Sequence, residues 1–472
     1  MNKKLYYIFT TIIFCIFVFI TIKATFFSGR YCWEDEAHFW TIVQNVSIPE
    51  LFRLMKVEGH MLLWYLLVMP FAKLNFPYPY PMQILNWLFC FGALVIMWKK
   101  SDFNPLIKAM IVLSPVFLGL YSIHARCYSI GAFFLFSACA LYKKRLEHPY
   151  IFFLILWLAA NTSTQGLIGA TTLGLIFLYD LIKEVQIDKT KLKVPIIITV
   201  LTALTGIMLY FQLVGAATPD YEISVKEYNI LQNYVAMFWG ITPIPFSIDK
   251  IFLIKIIGLR VFAFAFLALL ATKPRAFFAY FFPMTIGSYF FATVYYPRYW
   301  HLAFFFIYLI VACWIFIIEN KSEKWNKCLT AVMYIFLFFF LTVRIEPPYQ
   351  IDVLSDTFMK NSELKNAKVF SNIEPITLSV ILPKLNANRI YIYDLHGRKL
   401  NSYEGLTVIF NKDAKEYKPE ILIANLDPKK QNLLVTYNNL EKKDIFPTIK
   451  KRLFIKGLRR GKKYYIYQIY KK

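Results

Sequence analysis

Apolar runs of roughly 16 to 22 residues recur along residues 5–343. A run of that length can lie in a bilayer only as a helix, because every N–H and C=O must find its partner inside the segment. Such runs repeated along most of a chain predict a polytopic α-helical membrane protein rather than a singly anchored one. Composition agrees. Hydrophobic residues make up 58% of the chain and aromatic residues 19%, and the mean hydropathy is +0.47, more apolar than a soluble globular domain.

The net charge of +24 raises nucleic acid as a partner, but no DNA- or RNA-binding motif accompanies it. In a membrane protein the same excess of Lys and Arg follows from cytoplasmic loops and attraction to anionic lipid. Membrane lipid is therefore an expected partner and nucleic acid is not. The N-terminus, MNKKLYYIFTTIIFCIFVFITIKATFF, has a basic start, a long apolar run and no small-x-small cleavage site, so it reads as an uncleaved first span with a cytoplasmic N-terminus. The seven cysteines (15, 32, 90, 127, 139, 313, 328) have no CxxC or Cys/His metal spacing and read mostly as packing residues. Cys32 and Cys127 both fall on the external side of the topology below. A disulfide between them stays open, because spacing does not fix its geometry.

Basic loops at Lys99, Lys100 and Lys108, at Lys143, Lys144 and Arg145, at 183–193, at Lys273 and Arg275, and at 321–327 alternate with less basic turns near Ile123, Thr162, 216–250 and Tyr295. With basic loops inside, the spans fall near 5–27, 82–98, 104–121, 127–142, 149–164, 166–182, 194–215, 251–271, 276–293, 299–318 and 328–345, about eleven in all with the C-terminus outside. The apolar segment 60–71 is short for a crossing, and counting it would invert every later loop. The first external loop, 28–81, is thus expected to carry a juxtamembrane or re-entrant helix near 60–75; a short true span with a compensating partner is the alternative. Residues 1–345 form the transmembrane module. In 346–472 the strand-like pieces AKVFSNI, NRIYIYDL, LTVIF, ILIANL and YYIYQIY, with a helix begun at Pro375, predict a small extracytoplasmic α/β domain.

On this topology the polar residues gather at the outer face. The stretch YCWEDEAHFW, 31–40, puts Asp35 and Glu36 at the membrane boundary among aromatic residues. Glu58 and His60 open the short helix. His124, Arg126 and Tyr128 lie in one external turn, Gln165 in a second, and Arg298 and Tyr299 in a third, with His301 just behind. Taken singly, each has a bland account: a solvated acidic loop, or arginines snorkelling at the interface. As a set they suit one reaction. A carboxylate can take a proton from an attacking hydroxyl. Arginines can hold a phosphate and stabilise it as it leaves. A cavity between spans can hold an isoprenoid tail. Together these describe transfer of a sugar from a polyprenyl phosphate to an acceptor at the outer surface.

DEAHFW resembles the first-loop motif of the protein O-mannosyltransferases, and EGHMLLWYLL their acidic-x-His-Pro-Pro-Leu segment. HARCYS is similar to the Arg-x-Tyr turn of bacterial relatives, and PRYWHL to their late Arg-Tyr turn. The order of these motifs over residues 1–345 resembles the GT-C superfamily, in the family 39-like branch that also holds the lipid A aminoarabinose transferases. That resemblance implies Asp35 as catalytic base with Glu36 beside it. It implies Glu58 and His60 near the acceptor or sugar, and Arg126 and Arg298 at the lipid phosphate. Tyr128, Gln165 and Tyr299 are expected to line the same substrate site. The partners implied are a polyprenyl-phosphate sugar donor and a glycan, lipid or protein acceptor. Met61 and Leu62 replace the family's Pro-Pro, and Gln165 stands where relatives often carry Lys or His, which leaves the sugar and the lipid-phosphate contacts open. A Glu34-x-Glu36 pair suits Mg²⁺ or Mn²⁺ by ligand type. The branch resembled here generally works without a metal, so no cofactor is expected. High Lys, Ile, Asn, Phe and Tyr point to an AT-rich bacterial source and hence to a bacterial plasma membrane.

Two other classes share parts of the pattern. A lipid-linked glycan transporter or flippase needs polar residues along a midplane path, whereas here the spans are apolar through their centres. A polysaccharide polymerase also uses lipid-linked sugars but is not expected to carry the DEAHFW-type loop. The topology predicts cytoplasmic signal from reporter fusions at Arg145 and Lys189 and external signal at Lys472. External signal from the first two, or cytoplasmic signal from the last, overturns it.

Overall fold

The structure, a computed structural model, describes residues 3–27, 34–58, 60–213, 262, 264–293 and 299–342, and in the C-terminal part 368–371, 391–393, 426, 429, 432–436, 439, 449–459 and 462–471. The described part is helical for the most part. Its helices are α1 (Lys3–Ile22), α2 (Glu34–Asn45), α3 (Ile48–Glu58), α4 (Leu62–Lys73), α5 (Tyr80–Lys100), α6 (Pro105–Val112), α7 (Tyr128–Leu141), α8 (Pro149–Ala160), α9 (Thr164–Ile187), α10 (Lys193–Leu213), α11 (Pro274–Thr293), α12 (Tyr299–Leu302), α13 (Phe304–Glu319) and α14 (Glu323–Leu341). Six described stretches are long and apolar enough to cross a membrane: Lys3–Phe27, Tyr80–Lys100, Thr164–Ile187, Lys189–Gln212, Trp300–Glu319 and Glu323–Leu341. The protein is an α-helical membrane protein. The span expected at 251–271 lies largely outside the described residues.

Contacts divide the chain into two compact units. One comprises Met1–Ser28, Met55–Trp64 and Gln83–Pro347; the other comprises Gly29–Leu54, Tyr65–Met82 and Pro348–Lys472.

In the first unit α13 is the central element. Every residue from Phe304 to Phe316 is buried, as expected of a helix that is apolar all round. By contrast α1 and α10 leave rows of large apolar side chains uncovered, among them Phe19, Leu204 and Phe211. Outward apolar rows are what a bilayer solvates.

The two ends of this bundle differ in chemistry. At one end Asp180, only 4% exposed, accepts from Arg145 (Nη2 at 2.6 Å) and from Arg275. Arg275 also faces Glu319 at 3.5 Å, and the Tyr142 hydroxyl donates to Glu319 at 3.0 Å. The cluster ties together the ends of α7, α9, α11 and α13. Lys143 pairs with Asp102 at 3.1 Å, and the buried Lys108 donates to the Trp98 carbonyl at 2.7 Å in the last turn of α5. The basic loops flagged in the sequence therefore share one end. At the other end the Leu63 N–H donates to the Asn161 carbonyl (3.0 Å), the Leu62 N–H to Gln212 (3.3 Å), Asn86 to the Tyr121 carbonyl (2.8 Å), and the Tyr121 hydroxyl to the Trp300 carbonyl (3.2 Å).

The stretch 28–81 is more regular than a loop. Residues 34–58 form α2 and α3, whereas the sequence suggested a helix only near 60–75. Ser47 and Glu50 start α3 with a capping box: the Ser47 N–H and hydroxyl both donate to Glu50 Oε2, at 2.7 and 2.8 Å. These two bonds hold the Glu50 carboxyl below the usual carboxylate range. Helix α4 stops where Asn75 takes a left-handed φ of 58°. The Phe76 N–H then donates to the Phe71 carbonyl (3.0 Å), the Asn75 N–H to Ala72 (3.2 Å), and the Phe71 and Phe76 rings meet edge-on at 5.6 Å. That stop leaves α4 with 12 residues. A helix of this length spans about 18 Å, against about 30 Å of hydrocarbon core.

The described C-terminal strands are β1 (Lys368–Ser371), β2 (Tyr391–Tyr393), β3 (Asn432–Thr436), β4 (Ile449–Arg459) and β5 (Lys462–Lys471), in one sheet of order β2-β1-β3-β5-β4. β1 runs parallel to β2 and β3, and β5 antiparallel to β3 and β4. Leu433 and Leu434 are both buried, so both faces of β3 are covered. Three expected strands fall on β1, β2 and β5. LTVIF, most of ILIANL and the helix at Pro375 lie outside the described residues. β3 and β4 were not anticipated. Lys450, Lys451 and Arg452 break the apolar alternation of β4, a pattern that suits its place at the edge of the described sheet.

Asp180→Ala is predicted to leave Arg145 and Arg275 facing each other without their shared carboxylate, a loss of about 3–5 kcal/mol for a broken buried pair. Thermal unfolding of the purified protein in detergent measures it. An unchanged transition would mean the cluster does not hold these helix ends.

Candidate functional site

Asp35 and Glu36 open α2, in the second unit. Three carboxylates in a first turn favour the helix through its dipole, which explains why this acidic run folds as a helix start. The helix is then sorted by burial. Glu36 is fully buried, Ala37 and every residue from Phe39 to Gln44 are buried, and among the described side chains of this helix only Asp35 and His38 are half-buried. These two stand three residues apart and so share one helix face. The same unit holds α2 against α4: Phe39 meets Tyr65 at 4.7 Å, and Lys73 Nζ donates to the Gln44 carbonyl at 2.9 Å, closing the C-terminal turn. Of the two expected carboxylates, Asp35 is the accessible one and Glu36 is the packed one.

His60, Arg126, Tyr128 and Gln165 belong to the first unit, at the end away from the basic loops. A π-helical stretch, Val116–Tyr121, delivers the chain into the turn that carries Arg126, an irregularity frequent at functional sites. Arg126 is 6% exposed, and its Nη2 lies 2.7 Å from His60 Nε2. A guanidinium can only donate, so Nε2 accepts, the ring is neutral, and its proton sits on Nδ1. Arg126 thus carries a permanent charge into a buried turn, and this contact is to a neutral partner. Tyr128 starts α7, stacks on Tyr121 at 5.6 Å and meets the edge of the buried His301 at 5.9 Å. Ser129 and Asn86 both donate to the Tyr121 carbonyl, at 2.6 and 2.8 Å. Tyr121 therefore organises the turn, although sequence reasoning passed over it; its tyrosine-rich, apolar setting carries no motif.

Gln165 is buried in the first turn of α9, where its carbonyl accepts from the Tyr308 hydroxyl at 2.6 Å. Ser163 caps this helix through the Gly166 N–H at 3.0 Å. The structure brings His60 to Arg126 and packs Tyr128 into the same turn. Glu58 is the last residue of α3 and Tyr299 the first of α12, but their side chains, and Arg298 altogether, lie outside the described part. Among the described residues no three His, Cys, Asp or Glu side chains are grouped to hold a metal ion. Cys127 carries a free, buried thiol, in keeping with its reading as a packing residue rather than with the open alternative of a disulfide to Cys32. Its place in the packed turn before α7 accounts for this.

A side chain at Gly166 would drive its Cβ into Thr162 Oγ1 and the Ala159 carbonyl oxygen, so this turn closes only around glycine. Gly166→Ala should displace the 159–166 turn that seats the start of α4 and lower stability by about 1–3 kcal/mol, the usual cost of overpacking. Thermal unfolding checks it; a change within error would show that the turn yields freely.

By sequence the chain matches no model of a known protein family and no curated protein.

Proposed function

We propose that this protein is an integral-membrane glycosyltransferase of GT-C type, with about eleven spans and an extracytoplasmic C-terminal α/β domain. It moves a sugar from a polyprenyl-phosphate donor to an acceptor hydroxyl at the outer face of a bacterial plasma membrane. The observation that carries this is the buried Arg126, in contact with neutral His60 at the bundle end remote from the basic loops. A permanent, forked cation in an apolar setting suits a phosphate better than a lysine would.

In the reaction, Asp35 takes the proton of the acceptor hydroxyl as its oxygen attacks the anomeric carbon. The bond from that carbon to the phosphate oxygen breaks, and polyprenyl phosphate departs with the electron pair. Arg126 meets the charge that grows on the leaving phosphate. His60, as a neutral acceptor, orients the guanidinium. Half-burial favours Asp35 as base, since it is partly desolvated and still reachable. The buried Glu36 holds the start of α2. Arg298, Glu58, Tyr128, Gln165 and Tyr299 complete the substrate contacts in this proposal.

Purified protein given a radiolabelled polyprenyl-phosphate sugar should form labelled product. Asp35→Asn should cut turnover by roughly a hundredfold or more while donor binding is kept, and Glu36→Gln should do less. Arg126→Lys should weaken donor binding. Near-normal turnover in Asp35→Asn moves the base elsewhere, with Glu58 next. Movement of label across vesicles without transfer makes the chain a lipid-linked glycan transporter.

A further inference from the structure

A cleft of about 440 Å³ opens at the basic end of the bundle, remote from Arg126. One wall is the approach to α11, with Thr272 and Lys273. The other is the turn between α13 and α14, with Asn320, Lys321 and Ser322, and Trp325 stands at its lip. The second wall is rigid. Asn320 is buried and donates to Asn326 Oδ1 (2.9 Å) and to the Ser322 carbonyl (3.0 Å), while Asn326 donates back to the Asn320 carbonyl (3.3 Å). The one carboxylate in the cleft, Glu319, is already held by Arg275 and by the Tyr142 hydroxyl. Lys143, Lys191 and Lys327 each hold a carboxylate. Lys273 and Lys321 make no ion pair or side-chain hydrogen bond among the described residues. The Ser322 hydroxyl is likewise not spent on capping α14. Two lysines and a serine whose side chains make no ion pair or hydrogen bond among the described residues thus line a cleft whose own acid is held by Arg275 and Tyr142.

We propose that this cleft binds the phosphodiester of an anionic phospholipid, a role independent of the transfer reaction. A phosphate supplies the anionic acceptors that these donors lack. The lipid, rather than a soluble phosphate, is indicated by position. The cleft sits where two apolar helices, Trp300–Glu319 and Glu323–Leu341, end. Trp325 is 39% exposed there, as an indole at the headgroup level would be. Lysines between spans at the basic face are suited to anionic headgroups.

The test measures binding of phosphatidylglycerol to the purified full chain by native mass spectrometry, and the thermal shift in nanodiscs with phosphatidylglycerol against phosphatidylcholine alone. Wild type should retain phosphatidylglycerol and be stabilised by it. Lys273→Gln/Lys321→Gln should bind it about tenfold more weakly or worse, with an unchanged melting point in phosphatidylcholine. Lys144→Gln/Lys189→Gln removes the same charge outside the cleft and should behave as wild type. Trp325→Ala, which leaves all charge in place, should weaken binding by a smaller factor. Equal losses in the two double variants, or none in the first, overturn the proposal. So does full stabilisation and displacement of lipid by millimolar inorganic phosphate, which would make this a soluble-phosphate site. If Lys273→Gln/Lys321→Gln melts lower in phosphatidylcholine, the Trp325→Ala result decides, with wild-type retention counting against the lipid.

Discussion

A carboxylate with 4% of its surface exposed at the end of a helix bundle is tolerable only when its charge is met. Asp180 satisfies this by receiving Arg145 from beyond α7 and Arg275 from the first turn of α11. Glu319 repeats the arrangement with Arg275 and Tyr142. Charged pairs of this kind cannot slide as apolar contacts can, since displacement strands a buried ion. They therefore fix which helix ends lie together. Arg126, Tyr128, Gln165 and His301 lie in the same unit.

The two ends hold similar residues in different settings. At the basic end, arginines face carboxylates and the net effect is structural. At the other, Arg126 Nη2 meets the His60 imidazole at 2.7 Å. Arg126 and Arg145 are both largely withdrawn from solvent.

A similar division separates Asp35 from Glu36. Adjacent residues on a helix point about 100° apart. One carboxylate is packed inside its unit while its neighbour stays half-buried. A run of acids that looks redundant in one dimension becomes two groups in different environments once it is wound into a helix.

Much of this was legible in the linear chain because its signals are local. Apolar length marks the helices, and basic loops mark one end, since both follow from what water and lipid accept. The boundaries of α1, α5, α9 and α13 lie within a few residues of their expected places. The N-terminal turn of α3 is equally local, written in Ser47-Ile48-Pro49-Glu50. Only the tertiary structure decided the rest. That His60 reaches Arg126 across 66 positions, that Asp180 and Glu319 neutralise basic loops, that Tyr121 organises the turn, and that Cys127 stays a thiol all depend on distances between segments. Residue type and spacing along the chain determine how a segment folds and which solvent it prefers. Which buried charge meets which partner is decided only when the segments pack, because the energy of that meeting depends on a separation in space that no sequence interval encodes.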